Sequence, residues 1–176
     1  KNDDKIFEVS ITTIDLPENI KAAELIKDSW EKVGVKVDII SLPDSRIIRE
    51  VIRPRKYEVL LFGVIVGADP DPYPFWHSSQ IQDPGLNLSN FANRRADSLL
   101  EEARITSDSE KKSVLYKDFQ EIIAEEIPAI FLYNPTYTYI SHKKIIGIDI
   151  ERVILPSHRF NNIEEWYVKE GRKMTK

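Results

Sequence analysis

Apolar and polar positions follow first a strand period and then a helix period at the start of the chain. Residues 5–13 alternate between the two classes and are rich in β-branched side chains, which is typical of a strand. Residues 15–34 follow helical spacing, with Asp15 as the predicted N-terminal cap, Pro17 in the first turn and Gly34 at the end. The apolar stripe of this predicted helix consists of Ala23, Ile26, Trp30 and Val33. The opening therefore predicts a strand followed by an amphipathic helix.

The next segments repeat this alternation. Residues 35–42 predict a second strand, and residues 44–52 predict a short helix that ends at Pro54. Residues 57–66 form a near-continuous apolar run, which predicts a third strand buried on both faces. The β-α-β-α-β order favours parallel strands that are joined by right-handed crossovers.

Two predicted helices open the second half of the chain. Residues 93–105 and 107–127 both carry apolar stripes at helical spacing, and Ser107 with Glu110 has the form of a capping box. The two stripes consist of Ala96, Leu99, Leu100 and Ala103, and of Leu115, Phe119, Ile122 and Glu126. Pro128 ends this helix pair, because proline cannot continue a helix.

Short strand patterns and a polar tail follow the helix pair. Residues 129–133, 137–141 and 145–150 predict further strands, and clear periodicity is lost from Glu151 onward. No internal repeat or flexible linker interrupts the chain. The predicted fold class is α/β: one compact domain with a mainly parallel β-α-β-α-β sheet flanked by helices, and an extended C-terminal arm.

Composition and charge exclude several classes of function. With 176 residues and 41% hydrophobic content, the chain predicts one substantial globular domain. The 25 basic and 29 acidic residues give a net charge of -4, which offers no electrostatic basis for binding nucleic acid. The absence of Cys excludes thiolate chemistry and disulfides. Because the chain has no starting Met, no apolar signal segment and no apolar run of the roughly 18 residues that a membrane helix needs, we expect a soluble piece of a longer precursor.

The segment from residue 66 to residue 80 combines prolines, carboxylates and aromatic rings. Pro70, Pro72 and Pro74 cannot donate to a strand ladder, so we expect a shaped loop at the carboxyl end of the third strand, where open α/β sheets bind ligands. The candidate ligand contacts in this loop are Asp69, Asp71, Tyr73, Phe75, Trp76 and His77. Carboxylates beside flat apolar walls suit a ligand that carries an ammonium group. The alternative is that both aspartates only cap turns and that the aromatic rings belong to the core.

The sequence contains no enzyme motif. His77, His142 and His158 are far apart and form no His-Glu-x-x-His pattern, and the chain has no nucleophile elbow, phosphate-binding glycine loop or dinucleotide fingerprint. Adjacent glutamates such as Glu101 and Glu102 predict a solvated helix face rather than an acid–base pair. The sequence therefore predicts neither catalysis nor a cofactor.

Two alternatives to a ligand-binding lobe stay open at this point. One is a metal-dependent hydrolase fragment, in which Asp69, Asp71 and His77 would converge on a divalent ion. The other is a docking module, in which the aromatic loop would be exposed as a patch for a protein partner. The hydrolase alternative predicts that chelators change the thermal stability of the protein. The docking alternative predicts that the aromatic loop lines no concave site.

Five segments in a fixed order carry a resemblance to a known family. The chain resembles the family 5 extracellular solute-binding proteins, the peptide, nickel and sugar receptors of ABC importers. The resemblance extends from about residue 6 to residue 168. The segments that carry it are residues 22–39, 61–80, 93–104, 116–135 and 159–167. Their order and spacing make the match specific.

The resemblance implies a receptor of two lobes that closes on its ligand. Residues 1–145 would then form the second half of the C-terminal ligand-binding lobe, and residues 146–176 an arm that returns to an N-terminal lobe absent from this chain. In peptide-binding members an Asp in this loop receives the amino terminus of the peptide. The nearest match here is Asp69, with Asp71 as the second candidate, while Val64 stands where the family pattern has Trp.

The expected partners follow from the same resemblance. They are an oligopeptide or another small solute, the permease subunits of an ABC importer, and the receptor's own N-terminal lobe. A sugar or a metal chelate is the alternative ligand within the family. The resemblance also implies a periplasmic protein or a cell-surface lipoprotein, whose signal and anchor lie outside this chain.

Overall fold

The computed structural model describes residues 7–67, 70–150, 153 and 155–168. The chain divides into two compact units. The first unit consists of Lys1–Val64 and Asp71–Ala129, and the second of Ile65–Pro70 and Ile130–Lys176. The predicted boundary between a lobe of residues 1–145 and an arm of residues 146–176 stays a prediction.

The first unit opens with a parallel sheet of three strands. The strands are β1 (Phe7–Ile14), β2 (Val35–Leu42) and β3 (Val59–Leu61), in the spatial order β2-β1-β3. β1 pairs with β2 over its whole length and with β3 over three residues. Ile11 and Thr13 are fully buried because β1 is the central strand. The predicted parallel α/β arrangement is confirmed.

The third strand is shorter and less buried than the sequence predicts. Only Val59–Leu61 pairs with β1, although residues 57–66 form one apolar run. Beyond Leu61 the side chains of Val64 and Ile65 are 53% and 72% exposed. The prediction of burial on both faces is wrong, because among the described residues β3 pairs only with β1, and this ladder stops close to the end of β1.

The first crossover helix, α1 (Pro17–Glu31), packs on the sheet as predicted. Its contacts with the sheet core come from Ala23, Ile26 and Trp30. Val33 lies beyond the end of the helix and is exposed, so its place in the stripe was wrongly predicted. Gly34 ends the helical segment with a φ of +89°, a conformation that favours glycine.

Asp15 does not cap α1, contrary to the sequence prediction. The N-cap residue is Leu16, and no side chain accepts a hydrogen bond there. Instead the Asp15 N–H donates to the Leu42 carbonyl at 2.9 Å, which continues the contact between β1 and β2. Pro17 begins the helix, where its missing N–H leaves no hydrogen bond unmade.

Short helical turns connect the sheet to the second half of the first unit. α2 (Asp44–Ile47) continues into a π-helical turn, Ile48–Ile52. After β3 the chain forms α3 (Tyr73–Trp76) and a 3-10 turn, Ser78–Gln80. The predicted short helix between the second and third strands is confirmed, and it ends before Pro54 as expected.

Two helices, α4 (Arg94–Ile105) and α5 (Ser109–Glu126), contribute most of the largest apolar cluster described in the first unit. The buried members of this cluster are Phe91, Ala96, Leu100, Phe119, Ile122 and Ile123. Both predicted stripes are confirmed apart from Glu126, which is exposed. Ile123 is buried in its place because it lies one turn after Phe119 on the same face.

The N-terminal cap of α5 lies one residue after its predicted position. Asp108 Oδ1 accepts hydrogen bonds from the Glu110 N–H at 2.9 Å and the Lys111 N–H at 3.1 Å. Ser107 was predicted as the cap, and that prediction is wrong. α4 is capped in the same way, since Asn93 Oδ1 accepts from two backbone N–H groups of its first turn.

We expect Asp108→Ala to destabilise the protein by about 1 kcal/mol, because two N–H groups of α5 lose their acceptor. The control Ser107→Ala should change the free energy of unfolding by less than about 0.5 kcal/mol. Urea unfolding of both variants measures the difference. A larger loss for Ser107→Ala than for Asp108→Ala would contradict the capping geometry.

The second unit contains little regular structure. β4 (Ile145–Ile146) pairs antiparallel with β5 (Tyr167–Val168), and two 3-10 turns, Pro156–Phe160 and Ile163–Glu165, lie between them. Of the predicted strand at residues 145–150, only β4 forms.

The strands predicted at residues 129–133 and 137–141 do not form. A strand needs a partner for its backbone ladder, and no described segment pairs with either of these. Their apolar side chains are correspondingly open to solvent, with Phe131 at 73% and Ile140 at 86% exposure.

None of the helices within residues 7–67, 70–150 and 155–168 combines the length and the apolar character that crossing a membrane requires.

Candidate functional site

The proline-rich loop follows the carboxyl end of β3, as the sequence predicts. Its described part enters α3 through Asp71 and Pro72, and α3 places Tyr73, Phe75 and Trp76 on one short turn. Asp69 lies outside the described residues. The remaining five candidate contacts all lie in the first unit and are described below by their partners.

Asp71 has a partner for each carboxylate oxygen. Oδ1 accepts a hydrogen bond from the Tyr73 N–H at 3.0 Å, which closes a turn across Pro72. Oδ2 lies 3.1 Å from Nε of Arg104, a residue of α4. The negative charge of the Asp71 carboxylate is therefore paired within the protein.

Tyr73 and His77 form the next layer of this arrangement. Their rings stack with centroids 4.2 Å apart and planes 19° apart. The Arg104 guanidinium also lies 4.2 Å from the centroid of the Tyr73 ring, a cation–π contact. One arginine thus holds both the carboxylate and the aromatic ring of this loop.

His77 is buried, and both of its ring nitrogens have partners. Nδ1 accepts from the Ser79 N–H at 3.1 Å and lies 2.8 Å from Ser79 Oγ. Because Nδ1 accepts a backbone N–H, the proton of the neutral ring is on Nε2. Nε2 then donates to Glu101 Oε1 at 3.2 Å, with Asp97 Oδ1 3.8 Å away.

One face of α4 holds the loop at three points. Asp97 accepts from the Ser78 N–H at 2.9 Å and from the Ser78 hydroxyl at 2.6 Å. Glu101 and Arg104 follow on the same face and hold His77 and Asp71. Glu101 is exposed, as the predicted solvated face requires, and one of its carboxylate oxygens also contacts His77. The spacing of four and then three residues between Asp97, Glu101 and Arg104 indicated that these side chains share one helix face. It did not indicate which segment of the chain they contact.

Trp76 packs on the helical core, as one of the two interpretations of the aromatic residues predicts. Its ring makes edge contacts with Phe91 at 6.2 Å and with Phe119 at 6.4 Å between centroids. Phe75 is half-buried in the same turn. The ligand contacts assigned to these two rings stay predictions.

Asn87 supports the structure of this region, and the sequence analysis did not identify it. It is fully buried, and its Nδ2 group lies 3.2 Å from the Trp76 carbonyl, 3.2 Å from the His77 carbonyl and 2.8 Å from the Phe91 carbonyl. Its Oδ1 accepts from the Phe91 N–H and the Ser89 hydroxyl. A single amide thereby satisfies backbone groups at both ends of the segment after α3.

The described residues contain no group of three His, Asp or Glu side chains that could hold a metal ion. Of the three predicted metal ligands, Asp71 faces Arg104 and His77 faces Glu101 and Ser79. These two side chains are therefore engaged by protein partners.

The second unit has an aromatic cluster of its own. Arg159 lies 4.4 Å from the Phe160 ring centroid and donates to the Tyr137 hydroxyl at 2.8 Å. Trp166 stacks on Tyr139 at 6.3 Å between centroids. These contacts tie the segment from residue 159 to residue 167 to residues 137–139 within the same unit.

Comparison with known proteins relates this chain to solute-binding proteins. It is 28% identical over 147 residues to the oligopeptide-binding protein AppA of Bacillus subtilis, which covers 83% of this chain and 26% of AppA. The solved structure of AppA in complex with a nonapeptide matches 97% of this chain and 33% of that chain, with a TM-score of 0.75 and 25% identity.

Two further relatives bind ligands other than the nonapeptide of the AppA structure. The dipeptide-binding protein of Escherichia coli is 25% identical over 150 residues, which cover 84% of this chain and 27% of that protein. The structure of NikZ from Campylobacter jejuni in complex with Ni(L-His) matches 96% of this chain and 34% of that chain, with a TM-score of 0.67 and 26% identity.

The relatives confirm the resemblance and the fold class that the sequence predicts. They are binding proteins for peptides or for a nickel complex, and they match most of this chain. This chain spans about a quarter to a third of their length. No family model matches the chain.

Proposed function

We propose that this chain is part of the solute receptor of an ABC importer, which captures oligopeptides between two lobes and delivers them to a membrane permease. The observation that carries the proposal is the match to AppA with its nonapeptide, over 97% of this chain at a TM-score of 0.75. Residues 1–145 would contribute the second half of the C-terminal lobe, and residues 146–176 the arm toward the N-terminal lobe. The receptor binds and releases its solute without converting it.

We assign the receptor to the outer side of the cytoplasmic membrane, either in the periplasm or on a lipid anchor at the cell surface. The peptide-binding relatives support this assignment, because a receptor of an importer meets its solute before the membrane. The permease subunits and the N-terminal lobe are its protein partners.

Asp69 is our candidate for the group that receives the amino terminus of the peptide. A carboxylate in a closed cleft needs a cationic or hydrogen-bond-donating partner, because desolvation of an unpaired charge is costly. Asp71, the second candidate, already has Arg104 and the Tyr73 N–H as partners. This leaves Asp69 as the better candidate for the ligand contact.

A nickel complex is the second candidate ligand. The observation in its favour is the match to NikZ with Ni(L-His), over 96% of this chain at a TM-score of 0.67. In that case the chelating molecule would bring the metal ligands, since the described residues supply no cluster of three.

Native mass spectrometry of the full-length receptor, purified from peptide-rich medium, tests the proposed function. We expect a heterogeneous set of bound masses that correspond to short peptides. The control is the same receptor after partial unfolding, dialysis and refolding, which should show the bare mass and regain the adducts when peptides are added. A single adduct of the mass of a nickel–amino acid complex would favour the second candidate. A refolded receptor that regains no adduct, whether peptides or nickel with L-histidine are added, would contradict both.

A further inference from the structure

Arg104 is a charged side chain that makes two specific contacts with the candidate loop. Its Nε atom pairs with Asp71 Oδ2 at 3.1 Å, and its guanidinium stacks on the Tyr73 ring at 4.2 Å. Asp71 directly follows the first Asp-Pro step of the loop, and Tyr73 directly follows the second. The planar guanidinium can serve an ion pair and a ring contact together, which the point charge of a lysine cannot.

Neighbouring residues restrict both the backbone and the carboxylate of Asp71. Pro70 and Pro72 flank it and restrict the backbone on both sides. Its Oδ1 fixes the Tyr73 N–H, and its Oδ2 fixes Arg104. A ligand ammonium group at Asp71 would therefore have to displace an arginine that is itself held by a ring.

We infer that Arg104 is a positioning residue of the receptor and that Asp71 is its anchor rather than a ligand contact. Together with the Tyr73 ring they fix the path of the chain at the end of the Asp-Pro loop. This inference rests on the proposed function, because the loop is the proposed place of the ammonium site. It gives the two aspartates separate roles: Asp71 is paired inside the protein, and Asp69 keeps its proposed role as the ligand contact.

The position of Arg104 allows its effect on binding to be separated from an effect on folding. Its side chain is 48% exposed, and it lies outside the apolar cluster of α4 and α5. Arg95 on the same helix is also exposed and contributes only its backbone N–H to the capping of α4. Arg95→Ala is therefore a matched control for the loss of one arginine from α4.

The test measures two dissociation constants by titration calorimetry on the full-length receptor: one for a tripeptide with a free amino terminus and one for its N-acetylated form. The ratio of the two constants reports contact with the amino group. Comparison of Arg104→Ala with Asp71→Asn separates positioning from direct contact, because both substitutions break the same ion pair and only the second removes the carboxylate.

For Arg104→Ala we expect the peptide with a free amino terminus to bind about tenfold more weakly and the N-acetylated peptide to change little, because the loop that carries the proposed ammonium site loses its support. Arg104→Lys should recover affinity to within about threefold, since it keeps the ion pair but loses the planar stack. Asp71→Asn should resemble Arg104→Ala with both peptides, because it breaks the same ion pair. Arg95→Ala should match the wild-type receptor within about twofold.

Two results would overturn the inference while leaving the proposed function intact. One is wild-type affinity in Arg104→Ala, which would show that the pair positions nothing that the solute needs. The other is a much larger loss of the free-amine preference in Asp71→Asn than in Arg104→Ala, which would show that Asp71 itself contacts the amino group. A wild-type receptor that binds neither peptide would instead contradict the proposed function, and the inference would fall with it.

Discussion

We expect Asp69→Asn to lower the affinity of the proposed full-length receptor for peptides with a free amino terminus by about 10- to 100-fold, the range that one charge-assisted hydrogen bond in a closed site provides. The affinity for N-acetylated peptides, which carry no ammonium group, changes little. Asparagine keeps the size of the side chain, so the loss reports charge rather than packing. Titration calorimetry of the purified receptor with both peptides measures the two affinities.

The matched control for this prediction is Asp28→Asn. Asp28 is an exposed aspartate on α1, in the first unit but outside the candidate loop. Its replacement should alter peptide affinity by no more than about twofold, as is usual for surface positions. Equal losses in both variants would point to the overall charge of the protein instead of a contact at Asp69, and the assignment would then be wrong.

We expect Asn87→Ala to destabilise the protein by about 3 kcal/mol, the largest effect on stability that we predict from a polar side chain. The substitution removes the donor group that lies beside the carbonyls of Trp76, His77 and Phe91. It also removes the acceptor for the Phe91 N–H. Buried backbone groups without partners retain their full desolvation cost, because water cannot replace the lost amide.

Urea unfolding measures this loss against two comparisons. Ser89→Ala removes only the hydroxyl that donates to Asn87 Oδ1, and we expect it to cost about 1 kcal/mol. Gln82→Ala removes an exposed amide from the same segment and should change stability by less than about 0.5 kcal/mol. If Asn87→Ala were as mild as Gln82→Ala, the hydrogen bonds of Asn87 would not hold this segment together.

The regular elements of the first unit could be predicted from the sequence because their signals are local. The period-two pattern of residues 35–42 gives the bounds of β2, and the helical spacing before Gly34 gives α1. Capping was harder to predict, because Ser107 and Asp108 are adjacent residues of equally suitable types and only the backbone geometry selects Asp108.

Strands that depend on distant partners were predicted less well. Residues 57–66, 129–133 and 137–141 have the composition of strands, yet a strand also requires a neighbour with free backbone groups. β3 finds such a neighbour for three residues only, and the other two segments find none among the described residues. The composition of a segment shows whether it suits a strand, whereas its hydrogen-bond ladder depends on which other segments lie beside it.

The candidate loop shows the same division between local and distant information. Its prolines and aromatic residues are adjacent in sequence, so the loop itself could be predicted. Asp97, Glu101 and Arg104 hold it from a helix that lies about 20 to 30 residues later, and the sequence does not show that this face of α4 meets the loop. The inward role of Trp76 likewise depends on Phe119, which is remote in sequence.

A crystal structure of the full-length receptor with a bound tripeptide tests the central claim most directly. We predict that the peptide lies between two lobes and that its amino nitrogen is within hydrogen-bonding distance, about 2.7–3.2 Å, of an Asp69 carboxylate oxygen. Asp71 should remain paired with Arg104 in the same structure. A peptide bound away from this loop, or an amino nitrogen that contacts Asp71 in place of Arg104, would contradict the account.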